Sequence, residues 1–267
     1  METINLRNVI AEKNPSLARR MPGFMLNLIG RILYLKEINL HITTHGHKDG
    51  VANSNSFLED LNISYTVHGV DKIKAGRYQF ASNHPLGGLD GVCLISVINK
   101  YFGEPRFMVN DVLMHLKFFK DIFVPINTFG LTSKNNAKII DNAYSLDNPI
   151  IIFPAGIVSR RVKGKIVDLA WKKSFVQKSI EHQRDIVPVF FEGVNTKRFY
   201  RVANIRKWLG VKTNIEMFLL PSQMYKKRNA HFNIYFGEPI PWQTLETGKS
   251  VRDWSSTIKE IVYQLRP

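Results

Sequence analysis

The stretch Arg77-Tyr78-Gln79-Phe80-Ala81-Ser82-Asn83-His84-Pro85-Leu86-Gly87-Gly88-Leu89-Asp90 leads from an apolar run, through a double-glycine loop, into a helical pattern over Gly91 to Phe102. A strand that feeds a helix through such a loop is the building unit of α/β sheets. The same stretch concentrates chemistry. A histidine leaving a buried strand, with a carboxylate six positions on, forms a base and its orienter: the acid fixes the imidazole tautomer, and the free nitrogen can take a hydroxyl proton. The spacing also admits a plainer reading, in which His84 closes the strand and Asp90 caps the following helix by accepting backbone N–H bonds.

Outward from this unit, apolar runs and helical patterns alternate along the chain. Strands are predicted over Ser64 to Val67, Arg77 to Ser82, Arg106 to Val109, Ile122 to Asn127, Pro149 to Phe153, Ile186 to Phe191, Ile215 to Leu219 and Phe232 to Phe236. Helices are predicted over Asp49 to Leu61, Asp90 to Phe102, Val112 to Phe118, Lys134 to Tyr144, Trp171 to His182, Lys197 to Leu209 and Val251 to Leu265. In the last of these, Val251, Trp254, Ile258, Ile261, Val262 and Leu265 form an apolar stripe that belongs in a core. The expected fold is α/β, a mixed central sheet flanked by helices. With 267 residues, no linker, no low-complexity tract and no internal repeat, the chain divides into an N-terminal helical segment, 1–45, and one main domain, 46–267.

Within the N-terminal segment, Met21, Phe24, Met25, Leu28, Ile32 and Leu35 recur at helical spacing, with Asn27 and Arg31 opposite and Arg19-Arg20 ahead. The run falls short of the roughly twenty apolar residues needed to span a bilayer. Its apolar face, widened by Leu26, Ile29 and Leu33, fits either an interfacial helix flanked by arginines or a helix packed on the domain.

The composition limits the partners. Lys plus Arg number 37 against 22 Asp plus Glu, a formal net charge of +15 that attracts anionic partners: nucleic acid, an anionic membrane, or an acidic carrier or substrate. The cations are scattered in short clusters such as Lys172-Lys173, Lys197-Arg198, Arg206-Lys207 and Lys226-Lys227-Arg228, without zinc-finger spacing or an RNA-binding aromatic signature, so nucleic acid is the weakest of the three. The single cysteine, Cys93, cannot form an internal disulfide, and residues 1–20 lack a secretory signal pattern, which points to the cytoplasm. Cys93 sits in the helix after Asp90 and reads as packing. His45-Gly46-His47 has no third ligand beside it and reads as a solvated turn, so no metal is expected.

Ligands collect where loops leave the carboxyl ends of parallel strands. Three loops qualify: Asn83 to Asp90, Asn127 to Ser133, and Pro154 to Lys165. In the third, the run Ile150-Ile151-Ile152-Phe153 breaks at Pro154-Ala155-Gly156 and is followed by Ser159, Arg160, Arg161, Lys163 and Lys165, whose cations suit gripping phosphate or carboxylate and equally suit a solvated basic loop.

Taken in order, Asn83-His84 followed by Asp90, then Phe123-Val124-Pro125, then Phe153-Pro154-Ala155-Gly156-Ile157-Val158-Ser159, then Ile186-Val187-Pro188-Val189, and finally Phe236-Gly237-Glu238-Pro239-Ile240, resemble the glycerolipid O-acyltransferase superfamily that contains lysophosphatidic acid acyltransferase. The resemblance spans residues 75–241. It implies catalytic roles for His84 and Asp90 and substrate contacts from Asn127, Pro154, Gly156, Ser159, Arg160, Arg161 and Lys163. There are departures. Five residues separate His84 from Asp90 where the family has four, so Gly87 and Gly88 must shape the loop to absorb the extra one. The arginine of the second block is missing, with Ile126 and Asn127 in its place. In the F-P-E-G-T-R-S block, Ala155 replaces glutamate and Val158 replaces arginine, which removes groups the family places around a glycerol phosphate.

The Pro-x-Gly-Gly-x-Asp loop and the Phe-Pro-Ala-Gly-x-x-Ser-Arg block look like the hemolysin-like branch, which completes acyl-amino-acid lipids such as glycine and ornithine lipids. That resemblance implies transfer of a fatty acyl group to the hydroxyl of an N-(3-hydroxyacyl) amino acid. Its alternatives are a 1-acylglycerol-3-phosphate acyltransferase and, in another class, a non-catalytic lipid- or membrane-binding protein. It implies no cofactor. The acyl group would arrive as a thioester of acyl carrier protein or coenzyme A, both anionic. Oxyanion donors are expected at the start of the helix after Asp90 or around Gly156. An amphiphilic acceptor turns the 21–35 helix toward interfacial binding, with the protein peripheral on the cytoplasmic face of the membrane.

Overall fold

The computed structural model describes residues 3–126 and 134–267. Four helices open the chain: α1 (Leu6–Lys13), α2 (Pro15–Arg20), α3 (Gly23–Ile32) and α4 (Leu35–His45). They are followed by α5 (Gly50–Asp60), β1 (Ser64–His68), β2 (Tyr78–Ser82), α6 (Leu89–Phe102), β3 (Arg106–Asn110), β4 (Phe123–Ile126), α7 (Lys134–Ser145) and β5 (Ile150–Ile152). The remainder comprises β6 (Arg160–Val162), β7 (Lys165–Val167), α8 (Ser174–Glu181), β8 (Asp185–Phe191), α9 (Lys197–Trp208), α10 (Leu220–Tyr225), β9 (His231–Phe236), α11 (Trp242–Leu245) and α12 (Val251–Gln264).

Seven strands form one mixed sheet in the order β1-β9-β8-β2-β5-β3-β4. β8, β2, β5, β3 and β4 run parallel, and β9 pairs antiparallel with β8 and parallel with β1. The central strands are covered on both faces, which explains their unbroken apolar runs. Phe80, Ile151, Val187 and Val189 face a cluster with α6, while Ala81, Ile150, Ile152 and Ile186 face a cluster with α8 and α12. The α12 stripe lies in the second cluster through Ile258 and Val262, with Val251, Trp254 and Leu265 half-buried beside them, and Ser250 caps the helix by accepting from Asp253 N–H.

Three sequence expectations are corrected. Ile215–Leu219 forms a 3₁₀ turn instead of a strand, because Glu216 is drawn inward by two arginines described below. Residues 112–118 form parts of two short 3₁₀ turns, Asp111–His115 and Lys117–Phe119, instead of one helix. The helical run from Met21 to Leu35 is interrupted: Tyr34 adopts a left-handed conformation (φ 55°) and stacks on Tyr225 at 5.1 Å, so α4 departs in a new direction. α3 buries none of its residues, and Phe24 (71% exposed), Met25, Leu28 and Ile32 face outward. No helix among the described residues is long and apolar enough to cross a membrane.

Candidate active site

β2 and β5 are parallel neighbours, with Ala81 opposite Ile152, so the loops leaving them emerge side by side. The His84 ring stacks on Phe153 with centroids 3.9 Å apart, and the His84 carbonyl accepts from Ser159 N–H at 2.8 Å. Asn83 fixes the exit from β2. Its side-chain amide donates to the Phe191 carbonyl (3.0 Å) and accepts from Phe191 N–H (2.7 Å), which prolongs the β2–β8 pairing by one rung. From the other side Asn195, just ahead of α9, donates to the carbonyl of Pro85 at 3.1 Å.

His84 Nδ1 lies 3.0 Å from Asp90 Oδ2. Asp90 is fully buried, and its two oxygens also accept from the amides of Leu86 (2.9 Å), Gly87 (3.2 Å), Gly88 (3.0 Å) and Gly91 (3.0 Å). Burial by itself raises the carboxyl pKa. The neighbouring His84 and the amides outweigh it and hold Asp90 below the usual carboxylate value. An ionised Asp90 can only accept, so Nδ1 of His84 carries the shared proton and Nε2 is the nitrogen turned away from that contact, on a side chain that is 15% exposed.

The extra loop residue is absorbed at Gly87, whose φ of +83° is left-handed and whose missing Cβ would lie 2.6 Å from Val158 Cγ2. Gly88 is extended, and a Cβ there would meet Met224 Sδ at 2.9 Å. Cys93 is buried one helical turn beyond Asp90, and burial raises its thiol pKa well above normal, in keeping with a packing role.

The third loop departs from the sequence reading. Ser159 is buried, and its hydroxyl donates to Asp168 Oδ1 at 2.5 Å. Asp168 also accepts from His84 N–H (3.3 Å) and from Trp171 Nε1 (2.9 Å), so one buried carboxylate ties the histidine loop to the Phe153 loop. Burial raises the pKa of Asp168 despite these bonds. The sequence reading missed this residue. Its signal is that it is the single acid between Asp147 and Glu181.

Arg160 is not a free clamp. Its guanidinium pairs with the buried Glu216 at 2.8 Å, and Arg206 Nε lies 2.9 Å from the other Glu216 oxygen. Burial lowers the Arg160 pKa. Arg161 and Lys163 stand exposed on the β6–β7 hairpin, whose two-residue turn, Lys163-Gly164, has both φ values positive as a type I′ turn requires. Pro154 is buried, and Gly156 (φ +65°) turns the chain with its N–H given to the Phe153 carbonyl. Asn127 and the loop to Ser133 lie outside the described residues. The amides of Gly88, Gly91 and Gly156, placed where oxyanion donors were expected, are already engaged. Val158, which stands in for the family's arginine, is fully buried against Phe199 and Tyr200.

The acyltransferase family profile matches residues 8–267, nearly the whole chain. The chain belongs to the acyltransferase family. This acyltransferase is 40% identical to the lyso-glycine lipid O-acyltransferase of Bacteroides thetaiotaomicron over 264 residues, covering 98% of this chain and 97% of that protein. It is 39% identical to the lyso-glycine lipid O-acyltransferase of Phocaeicola vulgatus, with 98% and 95% of the two chains covered. Among solved structures, the acyltransferase fold is similar to the 1-acyl-sn-glycerophosphate acyltransferase PlsC of Thermotoga maritima, with a TM-score of 0.52 over 90% of this chain and 95% of that one at 14% identity.

Proposed function

We propose that this acyltransferase moves a fatty acyl group from a thioester to the hydroxyl of N-(3-hydroxyacyl)glycine, completing a two-chain glycine lipid. The observation that carries the reading is the His84–Asp90 pair, 3.0 Å apart with the carboxylate caged by four amides, in a chain about 40% identical to two lyso-glycine lipid O-acyltransferases. Nε2 of His84 takes the acceptor's hydroxyl proton as that oxygen bonds to the thioester carbonyl carbon. Asp90 holds the ring and stabilises the imidazolium. Collapse of the tetrahedral adduct breaks the C–S bond, and the departing thiolate recovers the proton from His84, so no acyl-enzyme forms. The buried Val158 and Ala155 leave no charged side chain at those two positions, and exposed Arg161 and Lys163 supply positive charge for the glycine carboxylate. Acyl carrier protein is the preferred donor over coenzyme A, on the strength of the +15 net charge.

The same reading makes the protein peripheral on the cytoplasmic face of the membrane, with residues 1–45 as a membrane-associating helical segment. The outward face of α3 supports it, as does a second apolar surface around the end of α9: Ile205, Trp208 (82% exposed), Leu209, Val211 and Phe218 (67% exposed), interleaved with Lys207 and Lys212. That surface begins at Ile205, about 14 Å along the helix from Thr196, next to the Asn195 that holds the histidine loop.

The test is turnover by purified protein with acyl-carrier-protein thioester and either N-(3-hydroxyacyl)glycine or lysophosphatidic acid. Acylation of the glycine acceptor, lost by ~10³-fold or more in His84→Ala with the fold intact, is the expected outcome. Wild-type rates in that variant, or acylation of lysophosphatidic acid alone, would overturn the assignment.

A further inference from the structure

Helices α4 and α5 bring together a second group of ligating side chains that takes no part in the dyad. His41 and His45 stand one turn apart on α4, and Asp60 closes α5. His41 Nδ1 is 2.7 Å from Asp60 Oδ2, His45 Nε2 is 3.3 Å from Asp60 Oδ1, and the three donor atoms lie within 4.8 Å of one another. His45 therefore pairs with His41, one turn before it, and not with the exposed His47 of the His45-Gly46-His47 motif.

The protonation of His41 is fixed from its other side. The amide nitrogen of Asn53 donates to the carbonyls of His45 (3.2 Å) and Lys48 (3.4 Å), which points its oxygen at His41 Nε2, 3.2 Å away. Nε2 must then carry a proton. Nδ1 faces the Asp60 carboxylate at 2.7 Å, a place where either a proton or a metal ion can lie between the two groups. An imidazole whose far N–H is held by a carbonyl oxygen is the usual arrangement behind a metal-bound histidine. His45 has its Nδ1 buried without a hydrogen-bond partner among the described residues, while its Nε2 faces Asp60. Both rings sit in the last turns of α4, where the helix's carbonyl end favours a cation. A cavity of about 200 Å³ opens beside the group, lined by Glu37, His41, Asp60, Tyr225 and Arg228 among others. By contrast the cluster of Asp141, Glu181 and His182 already holds a cation, since Lys178 Nζ reaches its two carboxylates at 2.5 and 2.7 Å.

We propose that His41, His45 and Asp60 bind one divalent transition-metal ion, with zinc the best match to two imidazoles and a carboxylate, and with its fourth position open to the cavity. The ion would pin α4 to α5 and thereby fasten the N-terminal helices to the sheet domain. Its role is structural and separate from the His84 chemistry.

Equilibrium dialysis of the full chain against Zn²⁺, followed by metal analysis, should return one ion per chain, and Co²⁺ in its place should give the intense visible absorption of a tetrahedral site. Zinc at 100-fold excess over its Kd should raise Tm by roughly 5–10 °C. Asp60→Asn and His45→Ala, both at partly exposed positions that tolerate change, should weaken binding at least 100-fold, Asn53→Ala by 10–100-fold, and His47→Ala not at all. Failure of the wild-type chain to retain zinc, or retention unchanged in Asp60→Asn and His45→Ala, overturns the proposal and leaves a histidine–carboxylate hydrogen bond.

Discussion

Replacing Asp90 by Asn preserves the shape of the side chain and reverses the polarity of one of its ends. In the native loop both oxygens only accept: Oδ1 from Gly88 and Gly91, and Oδ2 from Leu86, Gly87 and His84. An amide group turned toward Oδ1 would meet two N–H donors, and one turned toward Oδ2 would meet three. The milder orientation still forfeits two hydrogen bonds to a charged acceptor in a fully buried place, at about 1.5–3 kcal/mol each, so Asp90→Asn should cost about 3–6 kcal/mol. That is a large part of the roughly 5–15 kcal/mol that keeps a domain folded. The readout is the urea midpoint at constant m value, compared with His84→Gln, which loses one bond to Asp90 and should cost far less stability while abolishing turnover. A cost below about 1 kcal/mol for Asp90→Asn would refute the reasoning, because the amide cage would then carry no energy. The acid limb of stability follows the same logic. The folded pKa of Asp90 lies below its unfolded value near ~3.9, so its contribution is whole above that pH and drains away as pH falls below it toward the folded pKa. Asp90→Asn should flatten that limb in a pH series of unfolding curves.

Gly87→Ala forces a Cβ into a left-handed residue 2.6 Å from Val158, so a destabilisation of roughly 1–3 kcal/mol with a parallel fall in kcat is expected; thermal melts and turnover check it, and an unchanged Tm would argue against a strained loop. Glu216→Ala strands Arg160 and Arg206 without their buried counter-charge and should cost about 3–5 kcal/mol, measured by urea denaturation and contradicted by a change within about 0.5 kcal/mol. Trp208→Ala should withdraw about 2 kcal/mol of interfacial burial, a roughly 30-fold drop in partitioning onto anionic vesicles by co-sedimentation, and equal partitioning would remove the α9 surface from the membrane reading.

The sheet was legible because its central strands, such as Ile150-Ile151-Ile152 and Phe190-Phe191, are covered on both faces and therefore run apolar without alternation. The contact between His84 and Asp90 was legible because they belong to one short loop, where sequence distance and spatial distance nearly coincide. What escaped depends on partners far along the chain. Glu216 lies 56 residues from Arg160, and its burial turned an expected strand into a 3₁₀ turn while spending a guanidinium counted as free. Asp168 meets His84 across 84 residues, and Asp60 meets His41 across 19, with no periodicity to betray either. The break at Tyr34 likewise answers to a ring on α10 that the local helical spacing cannot register.

The bond pair between the Asn83 side chain and Phe191 means that a primary amide imitates a peptide group at the place where β2 leaves the sheet. Aspartate could not serve, having no donor for the Phe191 carbonyl, and glutamine would reach one methylene too far. The backbone is thus let go while its coordinates remain anchored, and the neighbouring imidazole inherits the rigidity of strand register with no slack from an intervening hinge. Reach and aim of the ring nitrogens are in this sense dictated by the ladder beneath them, and any slippage of β8 would be felt at once as a displaced imidazole.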